Sequence, residues 1–242
     1  MKNNIIEVGI EPKEQCLFHY KEEEDFFYDI LRKREIWPRY CEEDFTELIG
    51  NPTVIAFPMV CFCDIPLKAA SDHRGTYGEF AISIPKYLAG DFDINPIWYL
   101  QEGTTITRHV MSELKKNARF SLDAISNEFR PLLPYLKSTI GCQAARNTKE
   151  PNTVVKSFEE EMEWRYSPCQ LANNWKVGDS SGFVKPNDEI HNLSEPFRLK
   201  LKTNQIEDVI VPNVEHLEKV KREFPDLCNK VRTWDNLLNQ TH

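Results

Sequence analysis

Apolar and polar positions change their spacing along the chain in a way that predicts both strands and helices. Residues 15–20, 79–84 and 163–166 alternate with the two-residue period typical of a β-strand. Residues 22–34 and 214–224 instead place apolar side chains three and four positions apart, which predicts amphipathic helices. The first of these helices starts with acidic and ends with basic residues, as the helix dipole favours.

The remaining segments are assigned on the same grounds. We expect Pro58 to break the apolar run before a strand at 60–65, because proline lacks the amide hydrogen that a strand interior uses. Further strands are predicted at 95–100, 197–201 and 206–211, a short helix plus loop at 66–78, helical segments at 105–130 and 154–162, mixed or extended chain at 132–140, and a loop at 174–188.

Strands and helices follow one another irregularly, without a regular βαβ repeat. This order predicts an α+β fold with mixed or antiparallel sheets and flanking helices. No stretch has the composition of a linker, and 242 residues suffice for one large core. We therefore predict a single domain over 1–242, in which residues 195–242 add a strand–helix portion packed on the preceding part.

Composition and charge narrow the function classes. The chain is 40% hydrophobic and 28% charged, as is usual for a soluble globular protein. It has no apolar run near the roughly 18–20 residues that cross a bilayer, and its polar N-terminus lacks a signal-peptide core. A cytoplasmic protein is therefore expected. The net charge of −8 argues against broad affinity for nucleic acid and suits a basic protein partner.

The seven cysteines show no regular pairing pattern. Cys61 and Cys63 would share one face of a strand, but no second pair of cysteine or histidine residues accompanies them at metal-ligand spacing. We therefore predict no metal site. The cysteines are expected to be free thiols that pack as small apolar side chains. Nothing in the sequence indicates a lowered thiol pKa, so the role of these two cysteines stays open.

Common catalytic motifs are absent from the sequence. None of the nine glycines forms a GxGxxG fingerprint or a P-loop, and neither GxSxG nor HExxH occurs. Kinases, P-loop NTPases, Rossmann-type oxidoreductases and the common hydrolases are thereby disfavoured.

The segment Glu-Met-Glu-Trp-Arg-Tyr at 161–166 places charges among aromatic residues. On a strand, Glu163 and Arg165 share one face while Trp164 and Tyr166 occupy the other. Two interpretations follow. The charges form a structural Glu–Arg pair on a half-buried edge strand, or the Glu163 carboxylate stabilises positive charge that develops on a sugar carbon.

Other candidate side chains are polar groups in apolar or aromatic surroundings. His19 lies in an apolar strand, either as a core residue or as a neutral imidazole that bonds a ribose hydroxyl. His73, Arg74 and Tyr77 form a polar and aromatic cluster before the next strand. Arg39 follows a helix-breaking proline, where it would be an exposed side chain or meet a phosphate or carboxylate.

The order of these segments resembles the AbiGi family, bacterial proteins associated with abortive phage resistance and labelled antitoxins. The resemblance covers roughly residues 15–170 and is most specific in the Cys-Phe-Cys-Asp-Ile-Pro segment at 61–66 and in Glu-Trp-Arg-Tyr at 163–166. The further segments that carry it are 17–20, 30–31, 39–41, 58–60, 73, 77–78 and 86. It implies a phage-defence protein of a prokaryote, encoded beside a partner that resembles a nucleotidyltransferase toxin.

A second resemblance, at the level of fold, is to ADP-ribosyltransferases. It implies a core that uses NAD as its substrate, with His19 and Tyr77 holding the nicotinamide ribose and ring. Glu163 would then bind the ribose 2′-hydroxyl and stabilise the oxocarbenium-like transition state. The resemblance also implies that the rest of the dinucleotide lies against Arg39, Arg165 and His73.

Two functions therefore remain open. The first is an antiphage enzyme that cleaves NAD, as an ADP-ribosyltransferase or a glycohydrolase, with a phage component as trigger or target. The second is a non-enzymatic antitoxin that binds and neutralises a partner toxin. A nuclease ranks behind both, because the chain lacks a coherent spacing of metal-binding carboxylates.

Overall fold

The structure is a computed structural model that describes residues 16–65, 70–115, 121–144, 153–178 and 194–238. Its α-helices are α1 (Glu24–Lys33), α2 (Thr46–Ile49), α3 (Ala70–Tyr77), α4 (Thr105–Leu114), α5 (Val214–Glu223) and α6 (Trp234–Leu238). In these ranges, no helix combines the length and apolar character that crossing a membrane requires.

The same ranges contain fifteen strands. They are β1 (Cys16–Lys21), β2 (Glu35–Ile36), β3 (Arg39–Asp44), β4 (Val54–Cys63), β5 (Phe80–Pro85), β6 (Asn95–Pro96), β7 (Trp98–Leu100), β8 (Leu136–Ser138), β9 (Ile140–Ala144), β10 (Thr153–Ser157), β11 (Glu163–Tyr166), β12 (Lys176–Gly178), β13 (Leu199–Lys200), β14 (Asp208–Val211) and β15 (Val231–Thr233).

A nine-stranded sheet forms the centre of the described fold. Seven strands follow the order β15-β14-β5-β1-β4-β11-β6, while β3 and β12 pair with the first part of β4. All these pairings are antiparallel except that of β14 with β15. The predicted α+β class with a mixed sheet and flanking helices is confirmed.

Strand β4 runs through Pro58, so the predicted break at this residue is wrong. Pro58 pairs with Tyr40 of β3 on one edge of β4. On the other edge it falls between β11, which reaches Val60, and β12, which begins opposite Ala56. The carbonyl of Pro58 accepts a hydrogen bond from the Ser167 hydroxyl at 3.2 Å on that side. The proline therefore occupies a gap between two partner strands, where a missing amide hydrogen leaves no ladder bond unmade.

The sheet buries different side chains on its two faces. Helices α1 and α5 cover the first face, where Leu17, Ile82 and Val209 of the sheet pack with Phe27 and Val220 of the helices. The second face carries two further clusters. The first includes Phe57, Met59 and Trp175, and the second includes Phe18, Tyr20 and Trp234.

Several predicted elements differ in the structure. Residues 154–162, predicted as helical, form β10 and a 3-10 helix at Phe158–Glu161. Two adjacent β-branched valines in this segment favour the strand, and pairing with β9 outweighs the helical spacing. The predicted 95–100 strand is split into β6 and β7, and the 105–130 helix ends at Leu114. In contrast, β1, β5, β14 and α5 closely match their predictions.

Candidate buried charge cluster on strand β11

Strand β11 holds the Glu-Trp-Arg-Tyr segment inside the central sheet. It pairs with β4 on one edge and with β6 on the other, so it is an interior strand and not the predicted edge strand. The predicted alternation is confirmed. Trp164 and Tyr166 pack against the core on the first face, whereas Glu163 and Arg165 are buried on the second.

Arg165 is fully buried and makes four hydrogen bonds from its guanidinium group. Its Nε and Nη2 donate to the two carboxylate oxygens of Glu163 at 2.7 and 2.8 Å. Nη2 also donates to Glu43 at 2.6 Å, and Nη1 donates to the carbonyl of Pro134 at 2.5 Å. Such a two-point bond between arginine and a carboxylate is among the strongest and most directional in proteins.

A second cation joins the same carboxylates. Lys137 of β8 donates to Glu161 at 2.8 Å and to Glu163 at 3.1 Å. The hydroxyl of Tyr77 donates to Glu161 at 2.6 Å, and the backbone amide of Glu163 donates to the hydroxyl of Tyr99 at 3.0 Å. We call Glu43, Lys137, Glu161, Glu163 and Arg165 the charge cluster. Its three carboxylates and two cations carry a formal charge of −1.

The pKa of each carboxyl in the charge cluster depends on its neighbours. Burial alone would raise the pKa of Glu163, but Arg165 and Lys137 outweigh it and hold that pKa at about 2. Burial raises the pKa of Glu43, although Arg165 opposes it. Burial also acts to raise the pKa of Glu161, but Lys137 and the Tyr77 hydroxyl lower it overall. Glu163 is therefore an ionised carboxylate with two cationic partners. This arrangement corresponds to a structural Glu–Arg pair, the first of the two interpretations of the segment.

The structure separates His19 from Glu163. His19 lies beside Phe62 on the first face of the sheet, with ring centroids 5.4 Å apart. Glu163 pairs in register with Cys63, the next residue of β4, and its side chain lies on the second face. Tyr77 does lie on the side of Glu163, linked to it through Glu161 and Lys137. The three side chains expected to line one cleft therefore do not converge.

The residues predicted to hold the rest of a dinucleotide are also dispersed. The Arg39 guanidinium lies over the ring of Phe26, 3.9 Å from its centroid. His73 stacks on Tyr77 with ring centroids 5.5 Å apart, next to Tyr20 at 6.5 Å. Arg165 is buried among carboxylates. Arg165 is hydrogen-bonded to Glu163, and His73 lies near the charge cluster through its stacking on Tyr77.

Sequence reasoning missed two members of the charge cluster. Glu43 lies in β3, which we did not predict as a strand, and Lys137 lies in a segment of mixed pattern. The sequence Arg-Tyr-Cys-Glu-Glu-Asp at 39–44 has no apolar alternation, so it gave no local signal for Glu43. Lys137 carried no signal, because its position depends on the parallel pairing of β8 with β7.

The thiol of Cys61 borders the charge cluster. Both Cys61 and Cys41 are free thiols. The interaction with the Cys41 thiol and burial raise the pKa of Cys61 well above its ordinary value. Its thiolate is thereby disfavoured, as expected for a structural thiol. In the described part of the chain, no group of histidine, cysteine, aspartate or glutamate side chains is arranged to hold a metal ion.

Comparison with known proteins gives one family. A family model described as "Putative abortive phage resistance protein AbiGi, antitoxin" matches residues 34–212, which is well over half of the chain. A curated protein from Lactococcus lactis subsp. cremoris, named "Abortive phage resistance protein AbiGi", is 29% identical over 151 residues. That match covers 54% of this chain and 61% of the relative's length. No solved structure matches the chain.

Proposed function

Because the chain belongs to the AbiGi family of abortive phage resistance proteins, we propose that it acts in abortive infection as a non-enzymatic antitoxin. In this proposal it binds a partner toxin protein and keeps it inactive until a phage component triggers release. The description of the family includes the word antitoxin, which supports a protein partner.

The state of Glu163 is the observation that carries the proposal. A carboxylate that stabilises positive charge on a sugar must face the substrate without a competing cation. Glu163 is instead buried, with both of its oxygens bonded to Arg165 and one also bonded to Lys137. The charge cluster therefore supports a structural role for this segment, and a function exerted through the protein surface.

An exposed apolar pair marks a surface suited to a partner. The pairing of β11 with β6 continues through a bond from the Ile97 amide to the Glu163 carbonyl, so Trp98 and Met162 lie at the same end of the pair. Trp98 is 55% exposed and Met162 is 44% exposed. Tryptophan and methionine are enriched at protein interfaces. Glu159 and Glu160, both exposed, precede Met162 and would suit a basic partner.

Co-expression with the protein encoded beside this chain tests the proposal. The neighbouring protein alone is expected to arrest growth, and the chain is expected to restore it and to co-purify in a fixed ratio. We expect Trp98→Ala to weaken the complex by about 30-fold, or roughly 2 kcal/mol, as for a central interface tryptophan. Growth rescue and the dissociation constant of the purified pair are the measurements.

Tyr87→Ala is the matched control for this experiment. Tyr87 is also an exposed aromatic residue, with 78% of its surface accessible. Its replacement by alanine therefore removes an exposed aromatic side chain of similar size that is not part of the Trp98–Met162 pair. We expect the control variant to bind normally. A neighbouring protein that does not arrest growth, or a complex that tolerates Trp98→Ala, would contradict the proposal.

An ADP-ribosyltransferase-like core that uses NAD is the second candidate function. It is favoured by one observation: Tyr77, Glu161 and Glu163 are joined through Lys137 on one side of the sheet. Nicotinamide release from NAD, measured with and without phage lysate, separates the two functions. The antitoxin proposal expects no release from the wild type. Release that Glu163→Gln reduces by about a hundredfold or more would favour the enzyme instead.

A further inference from the structure

A groove of about 500 Å³ opens between helix α3 and the first turn of helix α5. The start of helix α1 and the turn before β5 complete its walls. Its polar lining consists of Glu22, Glu24, Arg74, Glu79 and His216. We call this cavity the α3–α5 groove. Neither the charge cluster nor the Trp98–Met162 pair contributes to its lining, so the groove is a separate feature of the protein.

Two carboxylates of the α3–α5 groove face one another across neighbouring strands. Lys21 of β1 pairs with Phe80 of β5, and Glu22 and Glu79 are the next residues outward on the two strands. Like charges at facing positions of adjacent strands repel. Glu79 is 56% exposed and only 3.5 Å from Arg74, while Glu22 is exposed and has no ion pair among the described residues. The repulsion between the two carboxylates would be relieved by a cation bound between them.

The other residues of the α3–α5 groove limit what this cation can be. Glu24 is already bonded to Lys219 at 2.6 Å. Phe80 and Pro212 add apolar surface, and the Phe80 ring meets the His216 imidazole edge to face at 5.0 Å. Carboxylates beside apolar walls fit the arginine side chain, because its methylene groups pack on apolar surface while its guanidinium bonds the carboxylates.

Gly75 leaves space in the α3–α5 groove that the fold does not need. It is exposed within helix α3, its φ is not positive, and an added Cβ would meet no atom within 4 Å. Gly78 differs, because its φ is +110° and a Cβ there would strike the backbone of Lys21. Glycine inside a helix is destabilising relative to alanine. Gly75 therefore keeps the groove open at a cost in helix stability.

We propose that the α3–α5 groove binds an arginine side chain presented by a partner protein, with the guanidinium on the carboxylates of Glu22 and Glu79. Arginine is enriched at protein interfaces whereas lysine is depleted, and its planar group bonds two carboxylates at once. Helix α3 also connects the groove to the proposed partner surface, since Tyr77 bonds Glu161, which precedes Met162. The identity of the partner rests on the antitoxin function, whereas the chemistry of the groove does not.

A blocked Gly-Arg-Gly peptide tests the groove without a partner protein. The purified chain is titrated with it at constant ionic strength, and the backbone amide chemical shifts are followed. The same peptide with citrulline in place of arginine is the neutral probe. We expect the arginine peptide to bind several-fold more tightly and to shift the amides of Gly75, Gly78 and Glu79. Glu22→Gln should weaken its binding by about fivefold, as for the loss of a partly exposed ion pair.

Gly75→Lys and Gly75→Glu place opposite charges at one position of the groove. Both new residues form helices better than glycine, and a Cβ has room there, so thermal melting should show folded variants. Lysine should weaken binding of the arginine peptide by about tenfold relative to glutamate, because like charges repel. Gly90→Lys is the matched control, since Gly90 is exposed, has equal room for a Cβ and does not line the groove.

Equal binding of the two peptides would overturn the proposal, as would equal weakening by Gly75→Lys and Gly90→Lys. The same variants in the complex with the neighbouring protein test whether the groove belongs to the interface. A complex that tolerates Gly75→Lys would overturn the groove as a partner site and leave the antitoxin function intact. If the neighbouring protein does not bind, while the arginine peptide still depends on Gly75 and Glu22, the antitoxin function fails and the arginine site stands.

Discussion

Replacing Arg165 by methionine is expected to destabilise the protein by about 3–5 kcal/mol, which is a large part of the stability of an ordinary domain. The reason is the position of the guanidinium, which is fully buried and bonded to Glu163 and Glu43. Methionine fills a similar volume but leaves both carboxylates in the interior without their main counterion. The free energy of unfolding from urea titration measures this loss.

Arg222→Met provides the matched control for this substitution. Arg222 is mostly exposed and pairs with its neighbour Glu223, so we expect a change within about 0.5 kcal/mol. Adding Glu163→Leu to Arg165→Met should recover part of the stability, because one of the two stranded carboxylates is then removed. A loss below about 1 kcal/mol for Arg165→Met would show that water reaches the charge cluster, and would contradict its buried structural role.

The elements best predicted from sequence were those with an unbroken local period. Strands β1, β5 and β11 alternate because one or both faces contact a core, and α5 shows a clear apolar stripe. The alternation of β11 also established that Glu163 and Arg165 share a face and are close enough to pair. Local pattern was therefore sufficient for the central pair of the charge cluster.

Features that depend on partners distant in sequence were not predictable in this way. Alternation fixes the two faces of each strand, but it does not say which face of β1 matches which face of β11. That relation is fixed by two pairings of Cys63 in β4, one with Phe18 of β1 and the other with Glu163 of β11. It places His19 opposite to Glu163, and only a known pairing could have revealed it. The same is true of Pro58, which is tolerated because of a gap between two partner strands.

The charge cluster and the exposed pair Trp98–Met162 are connected through one short strand. The backbone of Glu163 bonds to Ile97 and to the hydroxyl of Tyr99, the two residues that flank Trp98. A buried ion pair is weak evidence for added stability, because desolvation offsets much of the attraction. We interpret the cluster instead as a device that fixes the position of β11 against β7. In that role it would hold the proposed partner surface in a defined geometry.

Lowering the pH is expected to destabilise the protein through Glu163, and this effect should vanish in Glu163→Gln. The folded-state pKa of Glu163 is about 2, below its ordinary value of 4.5, because Arg165 and Lys137 outweigh burial. The stabilisation is therefore complete above about pH 4.5 and is lost as the pH falls through about 2. Between pH 5 and pH 2.5 the loss from this group amounts to about 2–3 kcal/mol.

Urea titrations of the wild type and Glu163→Gln at several pH values measure this difference. The variant should be less stable at pH 7, since the amide no longer neutralises Arg165, and its stability should change less as the pH falls. Two other members of the charge cluster also shape both curves, and the Glu163 charge itself raises the pKa of each of them. The lowered pKa of Glu161 adds a loss in acid, whereas the raised pKa of Glu43 gives a gain as that group takes up its proton. The difference between the two curves therefore reports the titration of Glu163 together with the effect of its charge on these two carboxyls. Parallel curves would mean that Glu163 has the same proton affinity in the folded and unfolded chain, which an ion held by Arg165 and Lys137 cannot have.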